Sequence, residues 1–266
     1  MKKIAICGKG GSGKSTTAAL LANRISNRGY RVVVIDSDES NSGLYRMLGF
    51  NEPPVPFMDY LGGKKNIKQK MSPKPSAGKP ETKTMVLSQD EIRIPDIPSE
   101  YRSSKDNLSL LSIGKIVHSL EGCACPMGVL SREFLGKLKL ESNEIAIIDM
   151  EAGVEHFGRG VEASIDSIVI VVEPSFESIE LTERMTKFAS DIGISNIWVV
   201  LNKVTSEELI AKLRDKLLDK NIDVIGSIHF DADIFEAAFE GHPTHGQKAA
   251  EDVDRILDVL LGERTT

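Results

Sequence analysis

A chain of 266 residues, 41% hydrophobic and 27% charged, has an ordinary globular composition and enough length for one large core. No apolar run approaches the ~20 residues a transmembrane helix needs, and the opening MKKIAIC runs into glycines without an apolar leader, so neither a membrane span nor an export signal is expected. A net charge of −6 gives no global attraction to nucleic acid or to an anionic membrane, and three cysteines cannot build a disulfide scaffold, so the expected location is the reducing cytoplasm.

Short, continuous, β-branched runs recur at 4–7 (IAIC), 32–35 (VVVI), 108–113 (LSLLSI), 145–148 (IAII), 168–172 (IVIVV), 197–201 (IWVVL) and 224–228 (VIGSI). Apolar residues at consecutive positions suit strands covered on both faces. Between them, 14–28, 127–140, 176–191 and 206–220 carry helical spacing. A last helix over 247–261 sets Ala249, Val253, Ile256, Leu257 and Leu260 on one face, with its acids largely elsewhere. A membrane-surface helix would be basic on its polar face, so this one is expected to pack on the sheet. Strands alternating with helices predict an α/β fold with a mostly parallel central sheet and helices on both faces.

One domain over 1–266 is expected, interrupted at about 51–100 by a Lys/Pro-rich insertion. That stretch holds eight of the eleven prolines, and within 62–83 seven lysines stand against one acid, Glu81. It reads as mobile and burying little: a solvated loop, or alternatively a lid or a basic docking surface.

After the first strand comes Gly8-Lys9-Gly10-Gly11-Ser12-Gly13-Lys14-Ser15-Thr16, which fits G-x-x-x-x-G-K-[ST] between a strand and a helix. Glycines let the backbone curl so that N–H groups point at phosphate oxygens, and the helix presents its N-terminal donors to the same anion. Lys14 is expected on the β- and γ-phosphates and the Ser15 hydroxyl on Mg²⁺. Cys7, just before the loop, reads as packing.

Three further strand ends carry polar residues where ligands bind in open α/β sheets. The second strand ends Ile35-Asp36-Ser37-Asp38, where a helix cap is the structural alternative to a catalytic role. Asp149 closes IAII at the position of a carboxylate that holds Mg²⁺ through water, and Gly153 lets the backbone approach the γ-phosphate. Asn202 ends VVLN, and a side-chain amide there offers the donor and acceptor that an adenine edge needs. No N-K-x-D follows, which disfavours guanine.

Residues 121–128 read EGCACPMG, with Cys123 and Cys125 two apart. In an extended turn both thiolates can converge on one soft or borderline metal such as Zn²⁺, Ni²⁺ or Cu⁺, the alternative being two small loop residues with no metal. A tetrahedral thiolate site needs four sulfurs; a two-fold axis, with each subunit giving a pair, supplies them.

The loop with Lys9 near its start resembles the deviant Walker A class, which includes the MinD and ParA ATPases and nitrogenase iron protein within the SIMIBI/MinD type of P-loop NTPase. The resemblance implies a homodimer that sandwiches ATP, with Lys9 reaching the partner's nucleotide. It further implies that Asp38 positions the attacking water, that Asp36 supports the Mg²⁺ and P-loop shell, and that Asn202 contacts adenine. The strings GKGGSGKST, GCACPMG, DMEAGVEHFGRG and VVEPSFESIELTERM resemble the CooC-type accessory ATPases over nearly the whole chain. That resemblance implies an ATPase using ATP, ADP and Mg²⁺ that handles Ni²⁺ or Zn²⁺ for carbon monoxide dehydrogenase or acetyl-CoA synthase as client enzyme. The alternative is a ParA/MinD-like positioning switch without metal function. The insertion at 51–100 departs from the pattern and leaves the client open.

Overall fold

The computed structural model describes residues 2–71, 85–115, 125–154, 157, 160 and 164–262. Its strands are β1 (Lys3–Gly8), β2 (Arg31–Asp36), β3 (Ser103–Lys105), β4 (Leu108–Ser112), β5 (Glu144–Asp149), β6 (Ser167–Val172), β7 (Asn196–Val204) and β8 (Val224–His229). They form one sheet in the order β3-β4-β2-β5-β1-β6-β7-β8. Every neighbouring pair is parallel except β3 with β4.

The continuous apolar runs divide between two cores. Ile4 and Ile6 of β1 face one side, where α1 (Lys14–Asn27) brings Ala18, Leu21, Ala22 and Ile25. On the same side α9 (Gln247–Leu261) brings Val253, Ile256 and Leu257. Ala5 and Cys7 face the other side, covered by α5 (Cys125–Lys137), α6 (Phe176–Asp191) and α7 (Glu207–Leu218). Both faces of the sheet are thus dry, which is why its strands read as unbroken apolar runs. The expected packing roles of Cys7 and of the last helix hold, since Cys7 and Val253 are fully buried.

Local chemistry starts the helices where the pattern places them. Ser175 Oγ accepts from Ser178 N at 3.2 Å ahead of α6, and Ser206 Oγ accepts from Leu209 N at 3.2 Å ahead of α7. The smaller helices α2 (Leu44–Met47), α3 (Phe57–Tyr60), α4 (Gly63–Met71) and α8 (Ala232–Glu240) had no counterpart in the periodicity, nor had β3.

The insertion corrects one expectation. Its described parts do not hang free: Phe57, Met58, Ile67, Val86, Leu87, Ile92, Ile94 and Ile97 are buried in the core under α5. Phe57 packs edge-on against Phe134 at 5.2 Å between ring centroids. Apolar residues set singly or in pairs among charged residues and prolines form no run long enough to stand out, yet each can anchor a turn. Glu133 then fixes the returning loop, accepting from Val86 N at 2.8 Å and Leu87 N at 3.0 Å. Among the described residues no helix is long and apolar enough to cross a membrane.

Candidate nucleotide site

The C-terminal ends of β1, β2, β5 and β7 meet at one edge of the sheet, and the loop from Gly8 to Thr16 lies across it. Gly8, Gly11 and Gly13 hold φ of 152°, 80° and 92°, a region that disfavours side chains. A Cβ at Gly8 would also fall 2.6 Å from Val171 O, and one at Gly13 would collide with Asn202 Nδ2. These glycines are therefore fixed by backbone conformation and by close approach together.

Around the loop a cleft of about 530 Å³ is lined by Gly10, Lys14, Ser15, Thr16, Asp38 and Asn202, among others. Ser12, within the loop, is fully buried. Lys14 is only 7% exposed, and among the described residues its Nζ hydrogen-bonds just Lys9 O, at 3.4 Å. Ser15 Oγ donates to Asp149 Oδ2 at 2.6 Å. Asn41 Nδ2 donates to both, at 2.8 Å to Ser15 Oγ and 3.1 Å to Asp149 Oδ2. Asp149 Oδ1 is buried without a hydrogen-bond partner among the described residues. A hydroxyl, a carboxylate and an unused carboxylate oxygen at one point are a hard, oxygen-rich donor set that fits Mg²⁺. Gly153, at φ 89°, donates its N–H to Gly8 O at 3.3 Å and so lays the segment after β5 against the phosphate loop.

The two acids after β2 separate. Asp38, 8% exposed, faces the nucleotide cleft, and its Oδ1 accepts from Ser40 N at 2.9 Å and Ser40 Oγ at 2.6 Å. Asp36 lies beside Asp149 in register, but its bonds go elsewhere: Lys115 Nζ donates to Oδ2 at 2.6 Å and Asp38 N to Oδ1 at 3.2 Å. The expected support of the phosphate loop by Asp36 is thus not direct; the carboxylate is captured by a cation from the end of β4. Asn202 Nδ2 donates to Ser12 O at 2.8 Å, which gives it a loop-holding contact besides its place on the cleft wall.

Lys9 turns back on its own chain. Its Nζ donates to Glu173 Oε1 at 3.0 Å, while Lys203 Nζ stands 3.6 Å from Glu173 Oε2 and donates to Gly11 O at 2.5 Å. The hydrogen bond to Glu173 raises the Lys9 ammonium above its ordinary pKa. Burial pushes Glu173 up, but the bond from Lys9 and the charge of Lys203 outweigh it and hold the carboxyl below its usual range.

Asn41, Lys115, Glu173 and Lys203 were missed in the sequence. Lys115 and Glu173 follow the same rule that marked the acids, a charge just past the end of a buried parallel strand, and that signal could have found them. Cys123 and the Cys125 side chain lie outside the described residues; the Cys125 backbone opens α5.

Burial pushes the Asp149 carboxyl up to about 6, against the hydrogen bond from Ser15 and the charge of Lys14. Burial likewise pushes Asp36 up to about 7, against Lys115. A carboxyl raised on folding stabilises the fold while protonated, so that contribution is present below pH 4 and lost as pH climbs through about 6 and 7. The nucleotide-free chain is expected to lose thermal stability across that window, and Asp36→Asn to flatten its upper half. Melting curves from pH 4.5 to 8 with and without the substitution check this; a slope unchanged by Asp36→Asn would contradict it.

A parallel sheet with a glycine-rich phosphate cradle after its central strand, a buried lysine and a Ser/Asp cation pair together define a P-loop NTPase of the MinD/ParA type. The chain belongs to the CobQ/CobB/MinD/ParA nucleotide-binding domain family, whose model matches residues 3–244. It is 45% identical over 223 residues to an uncharacterized ATP-binding protein of Methanocaldococcus jannaschii, covering 84% of this chain and 87% of the relative. It is 33% identical over 263 residues to the carbon monoxide dehydrogenase accessory protein CooC of Rhodospirillum rubrum, covering 98% and 97%. In fold it is similar to the MinD cell division protein of Aquifex aeolicus, with a TM-score of 0.69 at 20% identity, covering 100% and 99% of the two chains. It is also similar to the Mg-ADP complex of MinD from Pyrococcus horikoshii, at 0.67 and 17% identity, covering 98% and 96%.

Proposed function

We propose that this chain is an ATP-hydrolysing metallochaperone or maturation factor, working in the cytoplasm as a homodimer that handles Ni²⁺ or Zn²⁺ for carbon monoxide dehydrogenase or acetyl-CoA synthase. The carrying observation is the union of a complete nucleotide site with Cys123-x-Cys125 in a chain similar end to end to a CooC protein.

Each residue has a task. The backbone from Gly8 to Gly13 and Lys14 cradle the phosphates of ATP or ADP; Ser15 and Asp149 hold Mg²⁺, which neutralises phosphate charge when bound. Thr16 lines the same cleft. Asp38 orients the attacking water, Asn202 meets the adenine edge, and Asp36, through Lys115, fixes the end of β2 under that site. Gly153 reports loss of the γ-phosphate to the segment after β5. Lys9 crosses to the partner's nucleotide when the dimer closes. Cys123 and Cys125 from each subunit bind the cargo metal on the two-fold axis, and closure changes their geometry. The cycle moves metal only if the open and closed dimers differ in affinity for it.

The test is a Ni²⁺ titration of metal-free protein, with and without nucleotide. About one metal per two chains is expected, matching four sulfurs on an axis. Cys123→Ser with Cys125→Ser is expected to remove it and leave ATP turnover intact. Stoichiometric metal retained by the double variant refutes the thiol site; no tight binding in any nucleotide state favours a ParA/MinD-like switch.

A further inference from the structure

A second cavity, of about 480 Å³, adjoins the nucleotide cleft and shares Ser40 and Asn41 with it. Its floor comes from the ends of two buried strands: Asp36 from β2, and Leu110 and Ser112 from β4, with Lys115 just beyond. Its wall is the chain between β2 and α3, with Leu44, Tyr45, Pro53, Pro54 and Pro56. That volume is in the range of small-ligand sites, and an apolar wall with a few convergent polar groups is their usual make-up.

Two observations fix the chemistry. Ser112 is 4% exposed, lines the cavity, and its Oγ has no hydrogen-bond partner among the described residues. A buried hydroxyl left unpaired is costly unless a ligand or water meets it. Lys115 Nζ spends two of its three donors, on Asp36 Oδ2 at 2.6 Å and on Asp38 O at 2.5 Å. The third donor asks for an acceptor, and the Ser112 hydroxyl, which can donate or accept, is free to donate to the same group. Asp36 and the half-buried Glu39 set two carboxylates against the one ammonium of this lining, so the site takes no more than one negative group, held at its Lys115 end.

We propose that this cavity is a second ligand site, taking a small monocarboxylate with an apolar body, its carboxylate on Lys115 and Ser112 and its body against Tyr45 and the three prolines. A site so placed sets its occupant one side chain, Asn41, away from Ser15 and Asp149. It rests on its own residues and not on the metal-handling reading.

The test uses 4-fluorophenylacetate as probe, followed by ¹⁹F NMR on the full, nucleotide-free chain, with 4-fluorophenethylamine as the cationic control. Saturable binding of the carboxylate and none of the amine is expected. Ser112→Ala, which removes only an unpaired hydroxyl, is expected to keep the fold and weaken the probe about three- to tenfold; Lys115→Met weakens it about tenfold or more. Equal binding of the amine, binding unmoved by Ser112→Ala, or no binding at millimolar probe each overturns the site. ATP turnover is measured separately on the same sample. A chain that hydrolyses ATP but ignores the probe loses this site alone; one that binds the probe without hydrolysing ATP loses the ATPase reading alone.

Discussion

Lys14→Met is expected to cut ATP turnover by roughly a hundred- to thousandfold, the usual cost of losing one preorganised charge-stabilising donor, while leaving the fold as stable as before or more so. The two effects have one cause. Lys14 sits 7% exposed, and among the described residues its one hydrogen bond is a long one, 3.4 Å to Lys9 O. A buried ammonium so weakly partnered is a burden on the fold, and methionine keeps the stem's packing while removing the charge. Asp149 is its anionic neighbour in the empty chain, without a hydrogen bond to it, and a phosphate in the loop gives the cation a direct partner, so the same atom that weakens the empty chain holds the nucleotide. Phosphate release and melting temperature, measured on one preparation, check both halves. Turnover within fivefold of the parent would remove Lys14 from the site, and a strongly destabilised variant would mean that its charge has a partner other than phosphate.

This opposition explains what could be read from the sequence and what could not. Phosphate binding needs consecutive backbone N–H groups, so its residues are contiguous and Gly8 to Thr16 stand out as a string. The seven predicted strands were legible because both sheet faces are covered, which leaves long apolar runs. β3 is three residues, Ser-Ser-Lys, on an antiparallel edge, and carries no such run. α8 has Ile234, Phe235 and Phe239, but Phe235 and Phe239 are 64% and 81% exposed, and Phe235 borders the nucleotide cleft instead of entering a core. A helix of nine residues with its aromatics outside gives little core periodicity to find. The partners Asn41, Lys115, Glu173 and Lys203 are single residues on four separate segments. Strand order brings them together, and no spacing in the sequence encodes that order.

Lys9→Ala is expected to lower ATP turnover by about a hundred- to thousandfold, as for loss of one transition-state donor, to prevent nucleotide-driven dimer closure, and to leave ADP binding unchanged. ADP binding is spared because the cradle around Ser12, Lys14 and Ser15 is built within one chain. Closure is lost because, in the proposed dimer, Lys9 is the residue that crosses. In the single chain it is already engaged, 3.0 Å from Glu173 Oε1. Reaching a partner's phosphate therefore means exchanging one anion for another, and the lysine and glutamate side chains are 34% and 19% exposed. Ion pairs that open to water are worth little, so the restraint is soft and the phosphates overcome it. Glu173→Gln, which weakens the resting pair, is then expected to lower the protein concentration needed for ATP-driven dimerisation by a few-fold without touching ADP affinity. Sedimentation with ATP, with ADP and without nucleotide separates the cases. If Lys9→Ala hydrolyses ATP at the parent rate, Lys9 does not act across an interface, and its bond to Glu173 is simply where a surface lysine rests. If Lys9→Ala fails but Glu173→Gln dimerises only at higher concentration, Glu173 is part of the closed interface. Its present contact with Lys9 and Lys203 would then be the first half of a bridge that the partner completes.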